Sequence, residues 1–201
     1  MAMSAPFRLI LATRNAHKTA EIRAMLGASH EVLDMSAFPT APAIEETGTT
    51  FLENARLKAL GISRVIGGTV LSDDSGLEVD ALGGAPGVWS SSYGGIEGDY
   101  ARNNTRLMAE MADKDERRAR FCCTMVLARD GRELANFSGS VEGRIIGEAR
   151  GSMGFGYDPL FVPDGHDQTF AELGEEVKNT LSHRARALVQ VVDWLRAGTD
   201  A

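Results

Sequence analysis

Phe7-Arg8-Leu9-Ile10-Leu11-Ala12-Thr13-Arg14-Asn15-Ala16-His17-Lys18 passes from an apolar run into a polar turn, and Ile22, Met25 and Leu26 then recur at helical spacing. A short continuous apolar run predicts a strand buried on both faces, and the recurrence after it predicts a helix, so the chain opens β then α. Further along, Thr50-Phe51-Leu52-Glu53 is a capping-box pattern that starts a second helix, with Phe51, Ala55, Ala59 and Ile62 on one face and Gly67-Gly68 at its end. Residues 69–72 predict another buried strand, followed by Asp73-Asp74-Ser75-Gly76 and Leu77-Glu78-Val79-Asp80. Gly83-Gly84-Ala85-Pro86-Gly87 is loop. A third helix from about residue 99 to 111 turns Tyr100, Leu107, Met108 and Met111 towards a core. Residues 120–128, a turn at Asp130-Gly131 and residues 133–146 predict a hairpin that extends the sheet antiparallel. The last helix begins near Ser182 and carries Ala185, Leu188, Val191, Val192 and Leu195 on one face. The expected fold is a mixed α/β domain with a long central sheet and helices on its flanks. There is no internal repeat and no Pro/Ser-rich linker, so any lobes are interleaved segments of one domain spanning residues 1–201.

Composition agrees with a globular protein. The chain has 201 residues, 43% hydrophobic and 24% charged, enough for a real core and unlike a collagenous, disordered or disulfide-dense chain. The formal charge of −7 works against a broad surface for duplex nucleic acid, so none is expected as a partner; a small polyphosphate would need a local nest of Lys and Arg or a divalent cation. Cys122 and Cys123 are adjacent within an apolar run, where buried reduced thiols in a cytosolic strand are expected. Met1-Ala2-Met3-Ser4-Ala5-Pro6 leads into an apolar run too short for a signal peptide, and no stretch approaches ~18 apolar residues. A cytoplasmic protein without membrane contact is expected.

Four stretches carry chemistry. Thr13, Asn15 and Lys18 lie at the start of a helix, where unpaired N–H groups and the positive dipole end suit phosphate oxygens; a cap with a solvated lysine explains them equally well. The stretch lacks the Walker A spacing. Asp73-Asp74, with Glu45-Glu46 before the second helix, form an acidic set; vicinal carboxylates at the end of a buried strand call for a cation, and Mg²⁺ suits that role, or else one acid caps a turn with Ser75-Gly76 and the other is solvated. Gly151-Ser152-Met153-Gly154-Phe155-Gly156-Tyr157-Asp158-Pro159 permits close backbone approach to a planar ligand with a ring for stacking, or a tight aromatic turn that only packs. In Lys178-Asn179-Thr180-Leu181-Ser182-His183-Arg184, Ser182 can cap the last helix, while His183 and Arg184 in its first turn oppose the dipole unless they face an electron-rich ligand. His17, His30, His166 and His183 lack zinc-ligand spacing, and no nucleophile elbow is present.

Taken in order, Thr13-Arg14-Asn15-Ala16-His17-Lys18, Glu45-Glu46-Thr47-Gly48 with Phe51, Glu53-Asn54-Ala55 and Lys58, Asp73-Asp74-Ser75-Gly76-Leu77, the Gly83 to Gly87 loop, Gly154-Phe155-Gly156-Tyr157-Asp158-Pro159 and Ser182-His183-Arg184 resemble the inosine triphosphate pyrophosphatase (HAM1-like) family, the non-canonical purine nucleotide pyrophosphatases. The resemblance implies an elongated sheet with an active-site cleft between two lobes, a homodimer, and Mg²⁺-dependent hydrolysis of ITP, dITP and XTP to monophosphate and pyrophosphate. Its alternatives are a pyrophosphatase for other modified nucleotides and a nucleotide-binding module without turnover. By position it implies that Thr13, Arg14, Asn15, Ala16, His17, Lys18 and Lys58 hold the triphosphate, with Glu46 and Asp73 near the metal. Asp74 would be metal ligand and proton acceptor for the attacking water, and Ser75 would touch substrate. Phe155, Gly156, Tyr157, Asp158, Lys178, His183 and Arg184 would form the base and sugar side. Lys178 would also join Lys18 and Lys58 in offsetting charge on the phosphates. In the family an arginine is usual where this chain has Ser92, and a small residue where it has Arg14.

Overall fold

A computed structural model describes residues 7–199; Met1 to Pro6, on which part of the signal-peptide expectation falls, lie outside the described residues. The predicted opening unit is present as strand β1 (Phe7–Leu11) and helix α1 (Ala16–Leu26). The sequence of elements continues with β2 (His30–Asp34), α2 (Phe51–Ile66), β3 (Thr69–Val79), α3 (Tyr100–Glu110), β4 (Arg118–Arg129), β5 (Arg132–Ile145), β6 (Phe161–Pro163), α4 (Phe170–Leu181) and α5 (His183–Thr199). The strands form one sheet in the order β2-β1-β3-β4-β5-β6. β1 lies parallel to both its neighbours, with Leu9 opposite Val32 on β2, and Ile10 opposite Val70 on β3. At the far edge β5 and β6 are antiparallel, Arg144 facing Val162. The sheet is therefore mixed, as expected for a β-α-β start followed by a hairpin whose turn is Asp130-Gly131.

The chain divides into two units, the first made of the chain up to Asp74, Thr124–Phe137 and the chain from Leu188, the second of Ser75–Cys123 and Ser138–Ala187. In the first, Ile10, Met35, Ile62 and Val70 form one apolar cluster, and Ala55 and Ala59 of α2 pack on Val126 and Ala128 in another. In the second, Leu77, Leu107, Met111, Phe121, Phe161 and Phe170 share a core. Each large side chain buried in this way contributes ~1.5–3 kcal/mol. No helix among the described residues is long and apolar enough to cross a membrane.

Local signals account for the helix ends. Thr50 accepts the Glu53 amide at 3.2 Å and starts α2, while the Glu53 carboxylate takes the Thr49 amide at 2.7 Å. Gly67, at φ +67°, ends it in a conformation that favours glycine. Ser182 caps α5 as expected, its Oγ accepting from the Ala185 amide at 3.2 Å.

Three departures bear on the site. Asp73-Asp74 stands within a strand and not at its end, and the alternative of a turn at Ser75-Gly76 is not what forms: β3 runs through unbroken to Val79. The reason lies at Gly76, where a Cβ would come within 2.3 Å of Ser90 Oγ and 2.5 Å of the Gly87 carbonyl; without one, the following loop packs against the strand, and the Leu77 amide donates to Ser90 Oγ at 2.9 Å. A helix absent from the sequence reading, α4, is opened by a full capping box between Thr169 and Glu172 and interrupted at Gly174, φ +82°. Cys123 is buried and Cys122 half-buried, both as reduced thiols, so only one of the pair is withdrawn from solvent as expected.

Candidate active site

In the first unit Lys18, in the first turn of α1, and Lys58 of α2 reach the carboxylates of β3. Asn15 caps α1, its Oδ1 accepting from the His17 and Lys18 amides at 3.0 and 3.3 Å, and its own amide donates to Thr13 Oγ1 at 3.1 Å. The cap is thus real, yet Lys18 is not the solvated residue of the capping-only reading: it forms an ion pair with Asp73, and its side chain is 14% exposed. Arg14 is directed to the Ala41 carbonyl, 3.1 Å from Nη2. Ala16 and His17 are exposed on the first turn of α1.

Lys58 of α2 gathers the acids. Its Nζ donates to Glu46 Oε2 at 2.7 Å, to the Asp73 carbonyl at 3.0 Å and to Asp74 Oδ1 at 3.1 Å. Burial works against its charge, but Asp74, Glu46 and Asp73 outweigh that and hold the ammonium above its ordinary value. Burial pushes the Asp74 carboxyl up to about 6, with Lys58 and Lys18 pulling it back and Glu46 adding to the rise. Asp74 Oδ2 is buried and has no hydrogen-bond partner among the described residues. Glu45 is exposed, as befits plain approach charge.

In the second unit the glycine-aromatic loop and the start of α5 come together. Asp158 Oδ2 accepts from the Phe155 amide at 2.9 Å and from Lys178 Nζ at 2.5 Å, an ion pair whose side chains are 3% and 2% exposed. The same ammonium lies 4.5 Å from the centre of the Phe155 ring, with the Arg184 guanidinium at 5.8 Å. Lys178 therefore serves the aromatic loop here. Arg184, 1% exposed, donates from Nη2 to Ser75 Oγ at 2.9 Å. His183 stacks on Phe121, ring centres 4.9 Å apart and planes at 12°. Tyr157 turns inward, its hydroxyl donating to the Ser90 carbonyl at 2.9 Å, so it packs in the core rather than offering a face to a ligand.

Similarity to known proteins extends over most of the chain. The Ham1 family model matches residues 9–194. The chain belongs to the Ham1 family. It is 48% identical over 184 residues to a dITP/XTP pyrophosphatase of Exiguobacterium sibiricum, covering 90% of this chain and 93% of that one. It is 44% identical to a longer dITP/XTP pyrophosphatase of Streptococcus agalactiae serotype V, of which the match spans 58%, against 92% of this chain. The structure of the Staphylococcus aureus Ham1 protein superposes with a TM-score of 0.85 at 34% identity, covering 95% of this chain and 99% of that one.

Within this Ham1 chain, no group of three or more His, Cys, Asp or Glu side chains among the described residues is arranged to close around a metal ion. Glu46 and Asp74 converge instead on Lys58, and Asp73 on Lys18. The unpaired Asp74 Oδ2 is the donor that fits a hard cation: a buried carboxylate oxygen without a partner costs ~1–3 kcal/mol, and Mg²⁺ is held through one or two carboxylates with the rest of its shell left to water and phosphate.

Two participants escaped the sequence reading. Phe121, which stacks His183, stands in an apolar strand run like any core residue. Asn104, which donates to the Gly156 carbonyl at 3.1 Å, had one available signal: an Asn103-Asn104 pair inside a helix, where asparagine is a weak former and needs another reason to be present.

Proposed function

We propose that the protein hydrolyses dITP and XTP, and with them ITP, to the nucleoside monophosphate and pyrophosphate in a Mg²⁺-dependent reaction, as a homodimer. Asp74 carries this reading: one oxygen is held by Lys58, the other is buried and unpaired, and the carboxyl is raised to about 6 yet ionised at neutral pH. The names of the relatives supply the substrate class, and the residues supply a route.

Water attacks the α-phosphorus, its proton passes to Asp74, and the bond from the α-phosphorus to the bridging oxygen of pyrophosphate breaks. Lys18 and Lys58 offset the charge that gathers on the phosphate oxygens and on the leaving group, and the α1 N-terminus adds its dipole. Asp74, with Glu46 and Asp73 beside it, would hold Mg²⁺. When bound, that ion supplies charge neutralisation at the phosphates and acidifies the attacking water. No covalent intermediate is needed. For the base, Phe155 offers a stacking face, and His183 and Arg184 offer donors to the 6-keto oxygen shared by hypoxanthine and xanthine. Adenine presents an amino donor there and leaves them unpaired.

The test is incubation of the purified protein with dITP, dGTP and dATP, with and without Mg²⁺, followed by identification of the phosphate product. Pyrophosphate from dITP, abolished by EDTA, is expected. Orthophosphate would mean attack at the γ-phosphate and would sink the assignment.

A further inference from the structure

The glycine-aromatic loop is held by two residues of α3 that no motif marks. Tyr100 and Asn104 lie four residues apart on one face of the helix. The Tyr100 ring meets Phe155 at 5.9 Å between centres and 45° between planes, and Asn104 Nδ2 donates to the Gly156 carbonyl at 3.1 Å. These contacts reach consecutive residues of the loop, one of them the glycine at φ +65°. The helix itself is anchored elsewhere. Leu107 and Met111 enter the core, and Asn103 ties α3 to the preceding loop through the Ser91 carbonyl at 3.0 Å and the Gly94 amide at 2.6 Å. Tyr100 and Asn104 are therefore not needed to hold the helix in place.

Asn104 also carries a cost. Its Oδ1 is buried with no hydrogen-bond partner among the described residues, so for the helix alone an apolar residue would serve better. What the side chain gains is one bond, to the loop that presents Phe155 to Lys178 and Arg184.

We propose that Tyr100 and Asn104 are positioning residues that set the base affinity of the site by fixing the angle and height of the Phe155 ring. The proposal rests on the reading of this loop as the base-binding side. It separates two properties that a purely structural role would couple. Loss of either contact weakens recognition of the base while the phosphate machinery on Lys18, Lys58 and Asp74 is untouched.

The experiment compares the wild-type protein with Asn104→Ala, Asn104→Asp, Tyr100→Ala and Tyr100→Phe. Steady-state pyrophosphate release from dITP, inhibition by inorganic tripolyphosphate, calorimetric titration with dIMP and thermal unfolding are recorded for each. Asn104→Ala, Asn104→Asp and Tyr100→Ala are expected to raise KM for dITP and weaken dIMP binding by about fivefold, the worth of one neutral hydrogen bond or ring contact. Their kcat, tripolyphosphate inhibition and melting temperature should stay near wild type, and Tyr100→Phe, which keeps the ring, should hold KM and dIMP affinity nearer wild type than Tyr100→Ala does. Unchanged KM and dIMP affinity in the Ala variants would overturn the proposal. So would an equal loss of tripolyphosphate binding or a large drop in melting temperature, which would mark a general structural role. The dIMP titration needs no turnover and keeps the two readings apart. Absence of pyrophosphate from wild type overturns the hydrolase reading, whereas equal dIMP affinity in all five proteins overturns the positioning role.

Discussion

Lys58 donates to one oxygen of Asp74 at 3.1 Å and leaves the other, buried, with no hydrogen-bond partner among the described residues. The arrangement is strained electrostatically in the resting protein and useful in a reacting one, because the unsatisfied oxygen is free to take a cation or a proton. Two expectations follow from this pair, one from the Asp158–Lys178 pair and one from Cys122.

Asp74→Asn keeps the shape and removes the charge. Pyrophosphate release from dITP should fall by about 10²- to 10⁴-fold, the usual worth of a general base. Stability should move the other way. Burial lifts the folded-state value to about 6, above the ~3.9 of an unfolded aspartate, so between these values the folded chain binds more protons than the unfolded one. The contribution of this group therefore falls as pH rises through that window. Thermal scans of the metal-free proteins should show the Asn variant gaining on wild type between pH 4 and pH 7.5; a constant difference would contradict the shift.

Lys58→Met removes the cation shared by Glu46, Asp74 and the Asp73 carbonyl. Breaking a buried pair by deleting one partner costs ~3–5 kcal/mol, and only part of it is expected here because Glu46 is 43% exposed and can turn to water. Urea unfolding should register the loss, and tripolyphosphate inhibition should weaken at least tenfold, a conservative figure for one charge-assisted contact of ~1.5–3 kcal/mol.

Asp158→Asn leaves the Lys178 ammonium buried against a neutral partner. A loss of ~3–5 kcal/mol is expected, with the Phe155 amide contact weakened as well. The double variant Asp158→Asn with Lys178→Met should recover much of the stability and none of the base affinity, which chemical denaturation and dIMP titration would show together.

Cys122 sits half-exposed on β4, yet its thiol should react slowly. Burial, with Glu78 beside it, pushes the thiol up to about 12, so at pH 8 almost none is thiolate. A disulfide-exchange reagent should label the folded protein at least tenfold more slowly than the urea-unfolded chain, whose cysteines ionise near pH 8.5. Labelling at equal rates would show that the strand opens readily or that the shift is absent.

Much of the fold was legible because its signals are local. The run at Leu9, Ile10 and Leu11 is buried on both faces as a doubly covered strand requires, and the caps at Asn15, Thr50 and Ser182 stand where their residue types suggest. β2, with sequence His-Glu-Val-Leu-Asp, has no clean alternation, and β6 spans three residues, too few for any period to show. The capping box of α4 was present in the letters, but Gly174 breaks the helix after it and hides the apolar stripe. Asp73-Asp74-Ser75-Gly76 allows a turn as well as a strand end by residue type; the following loop, packed close onto Gly76, goes with the strand that forms.

By itself the sequence determined the residue types and the elements that carry them: a helix N-terminus after a buried strand, paired acids, an aromatic loop among glycines, and cations at the head of the last helix. Each follows from hydrophobic period, capping and backbone freedom over a few neighbouring residues. Tertiary structure alone decided the partners. Lys18 reaches Asp73 across 55 positions, Arg184 reaches Ser75 across 109, and Asn104 reaches Gly156 across 52. The charge of Asp74 and the angle of Phe155 are set by such pairs, because a carboxylate's affinity for its proton depends on what surrounds it in space, and no local pattern records that.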